Sequence, residues 1–304
     1  MGEIVVQANN IAVIVLNYNT PALTMKNVDI LYSKNEGVHV IIVDNLSTDN
    51  SFDILSEHYK LNSEIDVVSS GENGGYSKGN NFGIKYALGN YPQIEYVAIM
   101  NPDVLCAEDN VLISLADMLK EDRKLAVLAP LMIQDDHIVP VKVGWKCENS
   151  FRIWQKRCYW ANSLLKNRCS YDKFEINEDK VLYCEVVQGS FFIIKRVIFE
   201  QVGFFDENVF LYYEENILGK KIKALGYKEG TSLSCTYIHE HHFEPLSLSK
   251  EKRLKRREYA SAEYYCKECL KSNNFLVFVL KLQAFINLNI ELPLVCTLKR
   301  INKR

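Results

Sequence analysis

One carboxylate stands directly after an apolar run of the sequence. Asp103 follows EYVAIM (95–100) and the pair Asn101 and Pro102. Because proline has no backbone N–H, a strand that reaches Pro102 ends there and presents Asp103 at its carboxyl end. An acidic side chain in that position can bind a hard cation such as Mg²⁺ or Mn²⁺ and, through it, a diphosphate. The alternative is a bare turn, since Asn, Pro and Asp are all turn residues.

Three of the six histidines lie within four residues of each other, in the stretch YIHEHHFEP (237–245). Alternation along a strand places His239 and His241 on one face and His242 on the other. A neutral imidazole can bind Mn²⁺, whereas many surface histidines have no role. We predict that His239 supports the Asp103 site, with a divalent cation, Mg²⁺ or Mn²⁺, as cofactor.

Two adjacent glutamates, Glu214 and Glu215, precede an amphipathic segment in FLYYEENILGKKIKALGYK (210–228). Acidic residues at a helix start are stabilised by the helix dipole, which is the structural interpretation. The functional interpretation is a general base that accepts a proton from a hydroxyl group. A neighbouring like charge and burial would raise the pKa of one carboxyl group toward a working value. Spacing does not tell which glutamate this would be.

Apolar runs alternate with helical segments over the first 130 residues. This alternation predicts strand–helix repeats and a mostly parallel sheet covered on both faces. Ligands bind beyond the carboxyl ends of strands in such sheets. Asn17, Asp44, 71–75 and Asp103 all fall at predicted strand ends, which favours a site over a turn. The predicted strands are 11–17, 38–45, 65–70, 95–101 and 125–130, and the predicted helices are 21–34, 49–60, 77–90 and 108–121.

The segment GENGGYSKGNNFG (71–83) places five glycines between a strand and a helix. Glycine lets the backbone approach a ligand closely, and a helix amino end favours anions. The dinucleotide pattern G-x-G-x-x-G after the first strand and the phosphate-loop pattern G-K-[ST] are both missing. The segment therefore indicates a nucleotide or sugar-phosphate neighbourhood without a standard phosphate cradle. A long crossover loop is the alternative.

Asp44 closes the second predicted strand, in front of NLSTD. Its carboxylate can accept the imide N–H of a pyrimidine base in a charge-assisted hydrogen bond. Asp-Asn-x-Ser is also a good turn and cap sequence, so both interpretations stay open.

Composition is that of an ordinary globular protein. The net charge of −2 and the 48% hydrophobic content give no indication of a nucleic-acid partner. The nine cysteines and the start MGEIVVQANN, which lacks a secretory pattern, predict reduced thiols and a cytoplasmic location. No transmembrane helix is expected, because Lys281, Glu291 and Pro293 interrupt the apolar stretch near the C-terminus.

The chain is predicted to divide into a nucleotide-binding domain, 1–249, and a helical extension, 250–304. Within the domain, 131–182 is predicted to be a variable insertion on the acceptor side; a subdomain that packs its own tryptophans is the alternative. The extension opens with the basic run KEKRLKRR (250–257). It is expected to lie at a membrane surface, on the catalytic domain or on a second subunit of a homodimer. The region around the insertion holds all three tryptophans, Trp145, Trp154 and Trp160.

Seven stretches resemble family 2 glycosyltransferases of the GT-A fold, especially the rhamnosyltransferase-like branch. They occur in the family's order over about 11–245, as VIVLNYN, IIVDNLSTD, NGGYSKGNNFGI, MNPDV, GSFFIIKR, GFFDENVFLYYEEN and HEHH. The resemblance implies an α/β fold, a Rossmann-like nucleotide-sugar-binding sheet flanked by helices. It also implies inverting transfer of a hexosyl or rhamnosyl unit from a UDP- or dTDP-sugar to a hydroxyl of a glycan or lipid-linked acceptor. The expected setting is bacterial surface polysaccharide synthesis, in the cytoplasm or at the inner face of the cell membrane.

The matched positions take their roles from this resemblance. Asp103 matches the last Asp of the family's D-x-D metal motif, and His239 a late histidine that can join the metal. Glu214 or Glu215 matches the acidic pair that supplies the base. The implied donor contacts are Asn17, Tyr18, Asp44, Asn73, Gly74, Gly75, Asn81 and Asn101.

Two departures from the family pattern bear on activity. Asn101 stands where many relatives have the first Asp, so a metal would depend more on the diphosphate and His239. Ile217 replaces an Asp that often follows the acidic pair. A non-catalytic protein of the same fold, which binds a nucleotide or carbohydrate without turnover, is therefore the main alternative. A sugar nucleotidyltransferase is less well matched, because NYNTPALTMK (17–26) lacks the Gly-rich basic stretch expected after its first strand.

Overall fold

Ten strands form one mixed sheet in the part of the chain that the computed structural model describes, residues 6–134, 137–138, 143–157, 175–240 and 247–295. The strands are β1 Ile11–Asn17, β2 His39–Asp44, β3 Ile65–Ser69, β4 Tyr96–Met100, β5 Val104–Leu105, β6 Leu125–Gln134, β7 His137–Ile138, β8 Val181–Cys184, β9 Phe191–Lys195 and β10 Lys228–His239. The helices are α1 Pro21–Lys34, α2 Ser51–Tyr59, α3 Gly75–Asn90, α4 Val111–Glu121, α5 Ser150–Arg157, α6 Arg196–Gln201, α7 Glu214–Ala224, α8 Leu248–Tyr264 and α9 Asn274–Ile286. A 3₁₀ turn, Ala8–Asn10, precedes β1, and π-helical turns follow α8 and α9 at Tyr265–Cys269 and Asn287–Glu291.

The strand order is β3-β2-β1-β4-β9-β6-β10-β5, with β7 beside β6 and β8 beside β10. β1 pairs in parallel with β2 and with β4, and β2 pairs in parallel with β3, as predicted. β9 runs antiparallel between β4 and β6, so the second half of the sheet is mixed. The predicted α/β sheet is thus confirmed, with the carboxyl ends of β1, β2 and β4 at one edge.

Both faces of the sheet are buried because successive residues of a strand point to opposite sides. Val13 of β1 belongs to a buried cluster with Leu31 of α1. Its neighbour Ile14 belongs to a second cluster with Ile84 of α3. Helices therefore cover both sides, which explains why β1 is apolar throughout rather than alternating.

The predicted elements of the first half agree closely with the structure. Strand 11–17 and helix 21–34 have the predicted bounds, and helix 77–90 begins two residues earlier, at Gly75. Strand 125–130 continues to Gln134. His241, His242 and, within the 131–182 insertion, residues 135–136, 139–142 and 158–174, which include Trp160, lie outside the described residues.

The C-terminal extension packs on the rest of the chain. Tyr265 and Leu280 form a buried cluster with Ile153 of α5 and Ile217 of α7. All four side chains are at most 1% exposed. Of the three expected locations of the extension, the described residues show packing on the preceding part of the chain, at α5 and α7. The boundary between 249 and 250 stays a prediction.

The last described helix presents an apolar face to solvent. The apolar stretch that contains Lys281, Glu291 and Pro293 forms one continuous helix, Asn274–Val295. By length and composition alone, these 22 residues are sufficient to cross a membrane, a property that core helices of soluble proteins also have. One side packs inward through Val277 and Leu280. The exposed apolar side chains are Phe275, Phe278, Leu282, Phe285, Ile286, Ile290, Leu294 and Val295.

Candidate active site

Two predicted donor contacts, Asn17 and Asp44, meet at the carboxyl ends of β1 and β2. The strand register pairs them directly, and Asn17 Nδ2 donates to Asp44 Oδ1 at 2.9 Å. Ser47 adds a bond from its N–H to Asp44 Oδ2 at 2.9 Å and one from its hydroxyl to Oδ1 at 2.6 Å. The Asp44 carboxylate is therefore held in one orientation. Tyr18 follows directly and is 43% exposed, so its ring is open to a ligand.

The glycine-rich loop docks against the segment that carries the two glutamates. Gly75 has a φ of +83°, and a Cβ there would lie 2.1 Å from the carbonyl oxygen of Phe210. Only glycine fits such a position. The N–H of Tyr76 donates to the same oxygen at 2.8 Å. Asn73 Oδ1 accepts the N–H of Gly75 at 3.3 Å and closes a turn around Gly74. The loop is thus a fixed wall of the site.

Asn81 lies on α3, and its amide binds the chain itself. Asn81 Nδ2 donates to the Phe205 carbonyl oxygen at 3.0 Å and to Glu207 Oε1 at 2.9 Å. The N–H of Phe205 donates to Asn81 Oδ1 at 3.1 Å. This side chain joins α3 to the loop that leads into α7, so the geometry gives it a positioning role. Its contact with a donor stays a prediction.

Asp103 and His239 face each other across a two-stranded corner of the sheet. β5 pairs with the end of β10, with Val104 opposite His239. His239 Nε2 lies 3.2 Å from Asp103 Oδ1. The Asp103 carbonyl oxygen accepts the N–H of Glu240 at 2.8 Å, and Asn27 of α1 donates to the Pro102 carbonyl oxygen at 2.8 Å. The Asp103 turn is therefore anchored through its backbone from two sides, and its side chain is not part of that anchor.

The corner formed by Asp103 and His239 suits a divalent cation that also binds a substrate of the protein. A carboxylate oxygen and an imidazole nitrogen at this separation are a donor pair that Mn²⁺ accepts. The described residues contain no group of three or more His, Cys, Asp or Glu side chains that would enclose an ion. Mg²⁺ and Mn²⁺ sites in phosphate-transfer proteins commonly use one or two protein ligands and complete the shell with phosphate oxygens and water.

Glu214 and Glu215 open α7, and their surroundings differ. Glu214 is 5% exposed, and its Oε2 has no hydrogen-bond partner among the described residues. Burial and then the charge of Glu215 raise the pKa of Glu214 well above its usual range. Glu215 lines a cavity and packs on Gly189, where a Cβ would lie 2.5 Å from Glu215 Oε1. Burial raises the pKa of Glu215, opposed by its own N–H and that of Gly189, which bind the carboxylate.

A third buried carboxylate, Glu229 of β10, lies near Glu215. Its Oε2 accepts the N–H of Val187 at 2.7 Å, and its Oε1 has no partner among the described residues. Burial raises the pKa of Glu229 to about 8, and the charge of Glu215 adds to the rise. Glu229 is thus largely protonated at neutral pH, which lowers the negative charge beneath Glu215.

The departure at Ile217 has a structural explanation. Ile217 is 1% exposed and packs with Tyr265 and Leu280 of the extension. An aspartate in this cluster would lose its hydration without gaining a counter-charge. Isoleucine at this position therefore helps to attach the extension to α7.

A cavity of about 760 Å³ opens beside Glu215. Its walls come from α5, the start of α7, α8 and the π-helical turn after α9. Four aromatic side chains contribute to the wall, and cations and carboxylates alternate around it. The aromatic residues are Trp145, Tyr212, Tyr213 and Tyr259, and the charged residues are Glu148, Lys156, Arg157, Glu215, Glu251, Lys255 and Glu258.

Sequence reasoning missed several residues that hold the site together. Ser47, three residues after Asp44, had a signal in the Asp-x-x-Ser spacing of a turn. Asn27, Gly189 and Glu229 had none, because each reaches the site from an element distant in sequence. Arg157 had no signal beyond its place in a segment with several other basic residues.

Comparisons with known proteins agree on one class. A family model described as glycosyl transferase family 2 matches residues 12–203. The low-salt glycan biosynthesis hexosyltransferase Agl10 of Haloferax volcanii is 26% identical over 207 residues, which are 68% of this chain and 59% of that protein. The chain thus covers less than two-thirds of this relative's length.

Solved structures show the same fold at low sequence identity. A mannosyltransferase of Pyrobaculum calidifontis, PcManGT, in complex with GDP-Man and Mn²⁺ gives a TM-score of 0.57 at 16% identity, over 93% of this chain and 71% of that one. GalNAc-T7 with UDP, GalNAc and Mn²⁺ gives 0.59 at 14% identity, over 90% and 54%. TarS 1–349 of S. aureus with UDP-GlcNAc gives 0.52 at 17% identity, over 83% and 66%.

Proposed function

The chain belongs to glycosyl transferase family 2, and from that membership we propose that it transfers a sugar from a nucleotide-diphosphate donor to an acceptor hydroxyl with inversion. The donor is a UDP- or dTDP-sugar, and the unit transferred is a hexosyl or rhamnosyl group. The acceptor is a glycan or lipid-linked saccharide used in bacterial surface polysaccharide synthesis. The solved relatives have GDP-Man, UDP with GalNAc, or UDP-GlcNAc in their complexes.

The observation that carries the proposal is the link between the Asp103 corner and Glu215. The N–H of Asn101, two residues before Asp103, donates to the Ser190 carbonyl oxygen at 2.8 Å. The adjacent residue, Gly189, packs against the Glu215 carboxylate, since a Cβ there would lie 2.5 Å from Glu215 Oε1. One short backbone segment therefore sets the distance between a cation site and a carboxylate on a cavity wall. Transfer from a diphosphate to a hydroxyl needs both groups at a fixed separation.

The proposed contacts to the base of the nucleotide lie at the carboxyl ends of β1 and β2. Asp44 accepts the imide N–H that uracil and thymine share, and Asn17 and Ser47 hold its carboxylate for that bond. Tyr18 is available to stack on the base, because it is exposed beside Asp44. The turn of Asn73, Gly74 and Gly75 forms the wall beside the sugar, and Asn101, two residues before Asp103, is the remaining donor contact of this proposal.

Asp103 and His239 are the residues that would hold a divalent cation. When bound, the cation supplies positive charge to the leaving diphosphate. The chain contributes a rigid corner for this purpose, since the Asp103 carbonyl oxygen accepts the N–H of Glu240. The separation of 3.2 Å between Asp103 Oδ1 and His239 Nε2 lets both reach one ion.

Glu215 is the general base of this proposal, and Glu214 is not. Glu215 reaches the cavity, whereas Glu214 is buried behind it. Glu215 takes the proton of the acceptor hydroxyl as that oxygen bonds to the sugar. Its raised pKa makes it a stronger base than an exposed glutamate. Glu214 keeps the pair from carrying two charges at once, because like charges in a buried site disfavour double ionisation.

A thermal-shift panel with UDP, dTDP, GDP and CDP, each with and without Mn²⁺, tests the proposal. We expect UDP or dTDP to raise the melting temperature by a few degrees only when Mn²⁺ is present. Saturation at 100 times the dissociation constant adds about 2.7 kcal/mol to the free energy of unfolding. The absence of a shift with every nucleotide would count against the donor site. Binding of a nucleotide without turnover of any UDP- or dTDP-sugar would favour the non-catalytic alternative.

We further propose that the chain works in the cytoplasm and is attached peripherally to a membrane. The attachment is made by the exposed apolar face of the helix Asn274–Val295, which begins with α9. Residues 250–304 carry thirteen Lys and Arg against five Asp and Glu, a net charge of +8, whereas the whole chain has −2. An apolar helix face with nearby cationic charge suits an anionic lipid surface. Phe278 and Phe285 are 60% and 62% exposed on this face.

Vesicle flotation tests this attachment. We expect the protein to float with vesicles of phosphatidylcholine and phosphatidylglycerol, less so at high salt, and not with phosphatidylcholine alone. Replacing Phe278 and Phe285 together by serine should reduce the bound fraction at least about tenfold, since each buried aromatic side chain contributes roughly 2 kcal/mol. The matched control replaces Leu61 and Val197, which are 92% and 56% exposed elsewhere, by serine. Equal flotation of both double variants would contradict the proposal.

A further inference from the structure

The cavity beside Glu215 has the size and lining of a ligand site. Its volume of about 760 Å³ is within the range of about 300–1,000 Å³ for small-molecule pockets. The donor contacts Asn17, Asp44 and Asp103 are not among its lining residues, so it is separate from the nucleotide pocket. Aromatic faces such as those of Trp145 and Tyr213 suit the apolar side of a sugar ring.

One cation of this cavity is buried without a counter-charge. Arg157, at the end of α5, is 8% exposed and lines the cavity. Its Nε has no hydrogen-bond partner among the described residues, and no described carboxylate forms an ion pair with it. Its Nη2 lies 3.5 Å from the Glu258 carbonyl oxygen, and its guanidinium carbon lies 4.4 Å from the centre of the Tyr259 ring. These contacts orient the guanidinium group but do not neutralise it.

The other cations of the cavity wall, unlike Arg157, form ion pairs with carboxylates. Lys156 forms an ion pair with Glu148, and Lys255 pairs with Glu258 at 2.6 Å. Glu251, in the first turn of α8, also lines the cavity. The wall is thus not a general cationic patch. Arg157 is distinguished from Lys156 and Lys255 by burial without a carboxylate.

A buried, unpaired guanidinium group destabilises a protein unless an anion completes its hydrogen bonds. Arginine also presents a planar set of donors that matches the oxygens of phosphate. We propose that this cavity is the acceptor subsite and that Arg157 binds a phosphate group of the acceptor saccharide. This inference rests on the proposed function, because the acceptor hydroxyl must reach Glu215.

The far side of the cavity indicates how such an acceptor is oriented. Lys255, Tyr259 and Asn287 line both this cavity and a smaller one of about 160 Å³. The smaller cavity continues along Leu288, Leu292 and Val295, next to the exposed apolar face of the last helix. A saccharide at Glu215, a phosphate at Arg157 and a hydrocarbon chain along this face therefore follow one line through the molecule.

Tryptophan fluorescence provides a direct binding test. All three tryptophans lie between residues 145 and 160, and Trp145 is part of the wall. None of the proposed donor contacts is a tryptophan, so quenching of Trp145 reports on the acceptor side. The full-length protein is titrated with glucose 1-phosphate and, in parallel, with methyl α-glucoside, both in the presence of UDP and Mn²⁺ to occupy the donor site. We expect saturable quenching with the sugar phosphate and at least about tenfold weaker binding of the neutral sugar.

Variants of one helix assign the effect to Arg157. We expect Arg157→Gln to weaken glucose 1-phosphate binding at least about tenfold and Arg157→Lys to weaken it less, since lysine keeps the charge but not the planar donors. Arg152→Gln removes the same charge from α5 at a position outside the cavity wall and should bind like the wild type. Melting temperatures show whether each variant is folded. If Arg157→Gln does not fold, Arg157→Lys carries the test: weaker binding than wild type supports the assignment, and equal binding overturns it.

The outcomes separate this inference from the proposed function. Equal affinity of wild type and Arg157→Gln for glucose 1-phosphate, or equal affinity of wild type for the two sugars, would overturn the subsite. If the nucleotide panel fails while Arg157-dependent binding persists, the transferase function fails and the anion subsite stands. With a turnover assay, Arg157→Gln should raise the KM of a phosphorylated acceptor more than the KM of a neutral one.

Discussion

Glu215→Gln should lower the rate of sugar transfer about 10³-fold while the donor still binds, because glutamine cannot accept the acceptor proton. Glutamine has the same shape and can still accept the N–H of Gly189, so the cavity wall is preserved. The measurement is single-turnover transfer at saturating donor, together with the nucleotide-induced thermal shift. Loss of transfer with an unchanged shift is the expected pair of results.

The pH dependence of transfer gives this prediction a second readout. A general base works in its ionised form, so activity rises as pH increases through its pKa. Burial raises the pKa of Glu215, and the acid limb of kcat/KM should therefore lie above the value of about 4.3 for an exposed glutamate. This limb should vanish in Glu215→Gln.

Glu214→Gln is the matched control for the base. It removes the neighbouring carboxyl group, whose own pKa is raised well above its usual range by burial and by the charge of Glu215. We expect transfer to stay within about tenfold of wild type, since Glu214 does not reach the cavity. A 10³-fold loss in Glu214→Gln and not in Glu215→Gln would exchange the two roles. Full activity of both variants would exclude a glutamate base at this helix.

Asp103→Ala should lower transfer by at least about 10³-fold, and it should weaken Mn²⁺ binding in the presence of UDP. The carboxylate lies 3.2 Å from His239 and is one of the two residues that would hold the ion. The fold should persist, since the Asp103 backbone, not its side chain, accepts the Glu240 N–H. Calorimetric titration of the UDP-saturated protein with Mn²⁺ measures the binding directly.

Asp109→Ala supplies the comparison for this variant. Asp109 is a nearby aspartate whose side chain is 74% exposed and pairs with Lys34 at the surface. An exposed ion pair contributes at most about 1 kcal/mol, so this variant should transfer and bind Mn²⁺ like the wild type. Near wild-type turnover of Asp103→Ala would refute a catalytic role for the Asp103 corner.

The placement of the proposed donor contacts was largely predictable from local sequence. Asn17, Asp44 and Asp103 each end an apolar run, and parallel strands bring their carboxyl ends to one edge. The bounds of β1 and α1 could be read directly because each has a single periodicity and a clear terminator. The short strand β5, two residues long, has too little pattern to be recognised.

The acceptor side could not be predicted in the same way. Arg157, Glu215 and Tyr259 meet because α8 folds back onto α5 and α7, and the cluster of Ile217 with Tyr265 specifies that contact. No spacing in the sequence encodes a pairing between residues about a hundred positions apart. The burial of Glu229 depends likewise on β8 and α7 covering β10. Such groups acquire their chemistry only from the tertiary structure.

The two walls of the site come from separate lengths of the chain. The contacts proposed for the nucleotide lie between residues 17 and 103, and the cavity wall beyond Glu215 is built from 144–157 and 251–287. Substitutions in the later helices can change which acceptor fits without disturbing the donor pocket. A new product could therefore evolve by altering where the sugar is placed while the sugar itself stays the same. A change of donor would instead require substitutions at the edge of the sheet that carries the proposed nucleotide contacts.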